Sequence, residues 1–462
     1  MLIRNKPCIV FDIEVFINCF HCTCYNTETK AIYKFEVSER KNEIKELCGF
    51  FATTDFYFVG YNNIHYDNPI INYCLEFFSD CDFPYWKICN SIFNLSRVIT
   101  NKDSDLELWK RWKYATKFPT LDLLTMLYST ALRVSLKEMQ VTMHYKNVQE
   151  FITDWQSPLS IDKIDEMIQY NLNDVMSTTE LLNRCSKDID LRIGIEDEYR
   201  IKCLSKDGVN IGMEILKQKY LEKTGLTWDQ IKDLRSPMDY ISLKDVILTK
   251  ISYTTPILQN LLKRLKMAVV SPGRKGLEEQ FILDGVKISV GVGGIHSKNT
   301  AEIIIPKDDE VLLDCDAASL YPSLLIAYGF YPKHLGTAFL EVYSGIKDER
   351  MEAKHNGNKV KNETLKLSLN GLSGNLQNEY SWVFSPFAVM QIRMNGQLLL
   401  LKLAEMLIAI DCKIIQYNTD GLFLICKKNR KEEYDQVIKE FEQFSRLTME
   451  TEHFEGMYQY AI

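Results

Sequence analysis

The sequence predicts a multidomain α/β protein, and three observations carry that expectation. At 462 residues the chain exceeds what one hydrophobic core supports, so two to four domains are expected. Residues 1–190 alternate strand-like and helix-like apolar patterns, as an α/β domain does. Farther on, a β-rich stretch, two helices and a long apolar helix precede a hairpin signal at Asn418–Gly421. No internal repeat or low-complexity segment interrupts this order.

Composition narrows the class. Hydrophobic residues make up 46% and charged residues 25%, as in soluble globular proteins. No apolar run approaches the roughly eighteen residues of a membrane span, so no membrane partner is expected. The start, Met1-Leu2-Ile3-Arg4-Asn5-Lys6, lacks the apolar core of a signal peptide, which predicts a cytoplasmic protein. Thirteen scattered cysteines read as reduced core thiols. The net charge of −7 argues against a simple nucleic-acid-binding module, yet suits an enzyme that gathers carboxylates around metal ions beside a basic groove.

Cys8-Ile9-Val10-Phe11-Asp12-Ile13-Glu14 reads as a buried strand. Asp12 and Glu14 are two apart and share a face, where they repel unless a metal relieves them. Cys19, Cys22 and Cys24 follow with strand-like alternation; no second pair lies at zinc spacing, so they read as strand. A second strand, Phe56–Asn63, leads to a helix start at Tyr66-Asp67-Asn68-Pro69. Thr120-Leu121-Asp122-Leu123 is expected to be structural. Ser160 is expected to cap a helix on which Tyr170 and Asp174 share a face.

From 191 to 285 the pattern is helical and charged, with a break at Ser271-Pro272-Gly273. The glycines of Gly291-Val292-Gly293-Gly294 permit close backbone approach. Val311-Leu312-Leu313 runs into Asp314-Cys315-Asp316, a strand ending on carboxylates, and such burial is costly unless a cation is held there. Residues 338–376 read as two helices around Asn356-Gly357-Asn358. Arg350 with Lys354, and Lys366 with Asn370, are i, i+4 pairs, each on one face. After an apolar helix at 386–410, two strand runs flank Asp420-Gly421, placing Asp420 at a turn.

Asp316-Ala317-Ala318-Ser319-Leu320-Tyr321-Pro322-Ser323 resembles the A motif of family B DNA polymerases. Lys366-Leu367-Ser368-Leu369-Asn370-Gly371-Leu372-Ser373-Gly374 resembles their B motif, with Gly371 for Ser and Ser373 for Tyr. Asn418-Thr419-Asp420-Gly421 is similar to their C motif, with Asn418 for the first Asp and Gly421 for Ser. Arg350 and Lys354 match an R-x-x-x-K pattern, and Gly293-Gly294 a Y-x-G-G linker without its tyrosine. The order Asp12/Glu14, Asn63/Asp67, Tyr170/Asp174 resembles the DEDDy 3′–5′ proofreading exonucleases.

The resemblance implies an RNase H-like exonuclease domain at 1–190 and a helical connecting region at 191–290. It implies a palm with an antiparallel sheet at 291–337 and 377–462, split by short two-helix fingers at 338–376, and no thumb. It implies Mg²⁺ or Mn²⁺, two ions per site, on Asp316 and Asp420 and on Asp12, Glu14, Asp67 and Asp174, with Tyr170 orienting the attacking water. It assigns Arg350, Lys354 and Lys366 to the triphosphate, and Tyr321 to exclusion of a 2′-hydroxyl. Asn370, Ser319 and Leu320 belong to the nucleotide site, and Gly293, Gly294 and Asn63 to DNA. The expected partners are primer–template DNA, single-stranded 3′ ends, deoxynucleotides and a separate thumb polypeptide or processivity factor. A compact, phage-like replicase in a host cytoplasm is the expectation. Its rivals are an exonuclease or primer-end-binding half of a split polymerase, and a remnant that no longer synthesises.

Overall fold

The structure, a computed structural model, describes residues 1–53, 55–101, 117–128, 132, 134–272, 276–298 and 301–459. The chain forms two compact units, Met1–Ile211 and Gly212–Ile462. Among the described residues no helix is long and apolar enough to cross a membrane.

The first unit is built on β1 (Leu2–Ile3), β2 (Lys6–Val15), β3 (Phe20–Asn26), β4 (Ile32–Val37), β5 (Tyr57–Gly60) and β6 (Thr120–Asp122). The sheet runs β4-β3-β2-β5-β6, with β1 against β2. The β2-β3-β4 part is antiparallel, whereas β5 joins β2, and β6 joins β5, in parallel. Parallel pairing needs crossovers, and helices α1 (Ile44–Phe51), α2 (Asp67–Phe77) and α3 (Tyr85–Thr100) lie in them.

Residues of β2 alternate between the two faces. Ile9, Phe11, Ile13 and Val15 join one core, where Phe11, Phe51, Phe58 and Phe118 pack edge-on and stacked. Cys8 and Val10 join the other, against Val59, Leu121, Val175 and Leu182. Asp12 and Glu14 continue that second row, so the pleat aims both carboxylates at the helix carrying Val175. That helix is α5 (Ile164–Arg184), preceded by α4 (Leu136–Thr142) and followed by α6 (Ser186–Tyr199). Cys19, Cys22 and Cys24 are free and buried, the latter two within the strand.

Two local expectations are corrected here. Ser160 precedes only a three-residue helical turn and gives its backbone no cap; its hydroxyl bonds the Asp162 side chain instead. Asn63, expected at the substrate, is 0% exposed. In the orientation that satisfies both its ends, its amide nitrogen faces the carbonyls of Gly60 and Leu121, each at 3.3 Å, and its oxygen accepts from the Thr120 hydroxyl at 2.9 Å. Asp122 is structural, as expected: fully buried, it accepts from the backbone of Asn62, Ile64 and Leu124.

Helix α7 (Gly208–Thr224) crosses the boundary between the units. In the second unit, α8 (Pro256–Met267) is followed by β7 (Glu278–Leu283), β8 (Val286–Gly291) and β9 (Gly294–Lys298). Strand structure thus begins earlier than the charged pattern suggests, because only Phe281 and Leu283 of β7 are buried and its other side hides in charge. Gly273 of the expected break lies outside the described residues.

Next come β10 (Glu302–Ile304), β11 (Glu310–Ala317), α9 (Leu320–Tyr328), α10 (Gly336–His355) and α11 (Lys359–Asn375). The turn between α10 and α11 uses Gly357 at φ 71°, as its sequence suggests. Then follow α12 (Pro386–Ile408), β12 (Lys413–Tyr417), β13 (Gly421–Lys427), α13 (Lys431–Ser445), β14 (Met449–Phe454) and β15 (Met457–Gln459). The central antiparallel sheet runs β12-β13-β11-β14. Helix α12 is apolar nearly all round and forms the core behind it. Its buried Gln397 grips Gly291 at both ends, accepting from the amide at 3.0 Å and donating to the carbonyl at 2.8 Å.

Candidate active sites

In the first unit, four carboxylates meet where β2 ends. Asp12 and Glu14 project from the strand, Asp67 opens α2 just after β5, and Asp174 lies on α5. Glu14, Asp67 and Asp174 are 8%, 4% and 6% exposed. Burial, and then the neighbouring Asp67, Glu14 and Asp174, push the Asp12 carboxyl well above its usual range. Burial first and Asp174 second raise Glu14 to about 8, and burial raises Asp67 to about 7. Tyr170, one helical turn before Asp174, has its phenol raised by burial and by that carboxylate, so it stays protonated as a donor.

Three neighbours escaped the sequence reading. Lys137 on α4 donates to Asp174 Oδ1 at 2.6 Å and lies 4.5 Å from the centre of the Tyr170 ring. Gln140, one turn on, reaches the same oxygen at 3.0 Å. Asn171 Nδ2 donates to Asp12 Oδ2 at 2.7 Å. The signal was present: Ser135 and Glu138 form a capping box that starts α4. Only the tertiary fold shows which face of that helix meets α5.

In the second unit, β11 and β13 pair so that Asp316 lies opposite Gly421, and Ala317 N donates to the Asp420 carbonyl at 2.8 Å. Asp420 stands exposed in the three-residue turn that Asn418 N closes onto Gly421 O at 2.9 Å. Burial, then Asp314 and Asp420, raise the Asp316 carboxyl to about 6. Asp314 shares its face, and Glu452, opposite Asp314 on β14, adds to the same negative field. Sequence reading missed Glu452, because register alone brings β14 beside β11.

Ser319 turns the chain from β11 into α9 at φ 51°, an uncommon angle for a residue with a Cβ. Beside this turn a cavity of about 350 Å³ is lined by Ser319, Leu320, Tyr321, Asn370, Thr419 and Asp420, among others. Six expected site residues are thereby gathered on one locus, counting Asp316 beside Asp420 and leaving Thr419 aside. Arg350, Lys354 and Lys366 are not part of that lining. Arg350 Nε instead donates to Asn362 Oδ1 at 3.3 Å, and Lys366 lies 3.7 Å from Glu363. Val292 and Gly293 form the β8–β9 turn; Gly294, which opens β9 at φ 130°, lies beside Thr419.

Among the described residues, no three His, Cys, Asp or Glu side chains are already drawn into a metal-ligand set. The donor chemistry nonetheless fits a hard divalent cation. Both loci offer carboxylate oxygens whose proton affinity is raised, by burial first, and Asp67 Oδ1, Asp314 Oδ1 and Asp316 Oδ1 are buried with no hydrogen-bond partner.

No protein family is matched by the sequence, and no curated protein is either. Among solved structures, the chain is similar to the family B DNA polymerase from the hyperthermophilic archaeon Pyrobaculum calidifontis. The TM-score is 0.51 at 14% identity, over 99% of this chain and 58% of that one. The chain thus spans less than two thirds of that polymerase's length, and at this identity the likeness is one of fold: a mixed α/β architecture shared with a family B DNA polymerase.

Proposed function

We propose that this protein is a template-directed DNA polymerase with a 3′–5′ exonuclease in its first unit. The observation that carries the reading is the β11–β13 register, which sets Asp316 opposite Gly421 and so beside Asp420, a residue that lines the Tyr321 cavity. Polymerisation is in-line phosphoryl transfer. The primer 3′-hydroxyl attacks the α-phosphorus of a deoxynucleotide, and pyrophosphate leaves. Asp316 and Asp420 would hold the divalent ions, with Asn418 a polar neighbour. Bound there, such ions stabilise charge on the attacking and leaving oxygens. Tyr321 forms the floor beneath the sugar, and Ser319 and Leu320 set the turn that presents it. Asn370 lines the same cavity, on the same helix as Lys366.

In the first unit the reaction is hydrolysis of the last phosphodiester of a 3′ end. Asp12, Glu14, Asp67 and Asp174 would hold the ions. Tyr170, kept protonated, donates to and orients the attacking water, while Lys137 fixes Asp174 and the ring of Tyr170 together. Gly293 and Gly294 bring backbone close to the DNA strand at Thr419.

One observation favours a second reading, an exonuclease that binds primer ends without synthesis: the three cations expected on the triphosphate lie off the cavity. Primer extension decides between them. With deoxynucleotides the wild type lengthens a primer, and without them it shortens it. Asp316→Ala and Asp420→Ala abolish lengthening and keep shortening; Asp12→Ala with Glu14→Ala does the reverse. A wild type that only shortens the primer favours the second reading.

A further inference from the structure

Helix α5 carries two buried asparagines beside Tyr170 and Asp174, and they are used differently. Asn173 spends both ends of its carboxamide on protein. Its Nδ2 donates to Asn147 O at 3.0 Å, and its Oδ1 accepts from Asn147 Nδ2 at 2.9 Å and from the Tyr145 hydroxyl at 3.3 Å. This is a structural asparagine, and it ties α5 to the stretch that follows α4. Asn171, 0% exposed, breaks the pattern. Its Nδ2 donates to Asp12 Oδ2 at 2.7 Å and reaches Glu14 Oε1 at 3.5 Å, while its Oδ1 is buried with no hydrogen-bond partner. The reverse orientation of the amide would set that oxygen against the Asp12 carboxylate, acceptor against acceptor.

A sealed amide oxygen without a donor costs stability, so packing alone gives no reason to keep an asparagine here. The reason lies in what the nitrogen holds. Its two hydrogens are enough for both carboxylates of β2. Among the described residues it is the only side chain that donates to Asp12 or Glu14. Asp174 is held separately, from α4, by Lys137 and Gln140. Asn171 and Asp174 are three apart on α5 and share a face. The one amide therefore sets the two strand carboxylates against the helix that carries the third.

We propose that Asn171 is a positioning residue of the first unit: by fixing Asp12 and Glu14 against α5, it sets the affinity of the four carboxylates for divalent ions. The role rests on the exonuclease reading above and deepens it. It acts through the carboxylates, since the amide is sealed from solvent and touches them alone. Hydrogen bonds to ligating carboxylates change metal affinity by about 10–100-fold when they are removed.

The test is calorimetric titration of Mn²⁺ into the full chain carrying Asp316→Ala and Asp420→Ala, so that the carboxylates of the first unit report. In that background Asn171→Leu, which keeps the size of the side chain, should weaken Mn²⁺ binding by a factor of about 10–100. The Mg²⁺ needed for half-maximal shortening of a single-stranded 3′ end should rise by a similar factor. Thermal unfolding shows whether the variant is folded at the titration temperature, and Asn171→Ala takes its place if it is not. A folded variant that binds Mn²⁺ as tightly as its parent overturns the proposal, whatever its unfolding midpoint, because a purely structural asparagine moves the midpoint and leaves the affinity alone. The parent separates the two levels. A parent that shortens 3′ ends while the Asn171 variants bind Mn²⁺ equally well removes this role alone. A parent that shortens none, and whose Mn²⁺ uptake is unchanged by Asp12→Ala with Glu14→Ala, removes the exonuclease reading and this role with it.

Discussion

Asp316 and Gly421 face each other across the β11–β13 pair so closely that a Cβ on Gly421 would overlap Asp316 Oδ1. The glycine is therefore the space into which the carboxylate leans.

Gly421→Ala should displace Asp316 from its rotamer. Primer extension should drop by a factor of about 100, on the scale of a 1 Å misplacement of a catalytic group. Shortening of a 3′ end, which the proposed function assigns to the first unit, should stay at the wild-type rate. Single-turnover assays of both activities check this, and unchanged extension would show that the carboxylate can swing without loss.

Tyr321→Ala should widen the cavity that Tyr321 lines, the proposed nucleotide site. Ribonucleotide incorporation should rise relative to deoxyribonucleotide, with a smaller loss on the correct substrate. Single-nucleotide kinetics with the two sugars measure the ratio, and a ratio equal to the wild type's would take Tyr321 out of sugar selection.

Stability of the first unit should fall as pH rises, in the absence of divalent ions. Glu14 is raised to about 8 from its ordinary 4.5, and Asp67 to about 7 from 3.8. A raised carboxyl keeps its proton in the folded state after the unfolded chain has released it. The stabilisation is therefore complete below the ordinary values and is lost as pH climbs through the raised ones. The midpoint of thermal unfolding should drop by on the order of 5 °C between pH 5 and pH 8.5. Added Mg²⁺ should recover more at the higher pH, because its ligands must be deprotonated. Glu14→Gln should flatten the slope, and a pH-independent midpoint in the wild type would contradict the burial argument.

Asn63→Ala should behave as a core substitution. It strips the carbonyls of Gly60 and Leu121 and the Thr120 hydroxyl of a partner, at a cost of about 1–3 kcal/mol. Chemical denaturation should register that loss, while the affinity for single-stranded DNA stays unchanged. A weakened affinity without a stability loss would return Asn63 to the DNA surface.

Local pattern was enough to find β2 with its paired carboxylates, the helix start at Asp67, the α10–α11 turn and the Asp420 hairpin. Each of these is decided by residues within a few positions of one another, through pleat alternation, helical spacing or turn chemistry, and such forces act alike in a short peptide and in the fold. What the tertiary structure alone decided depends on residues far apart in the chain. Lys137 meets Asp174 because α4 and α5 pack together, Glu452 faces Asp314 because β14 joins β11, and Asn63 is sealed in because β6 pairs with β5. The same holds for the cations: helical spacing put Arg350, Lys354 and Lys366 on common faces, but which side of the α10–α11 pair meets the cavity is set by packing. Periodicity places a residue on a face; only burial against a partner says what that face sees.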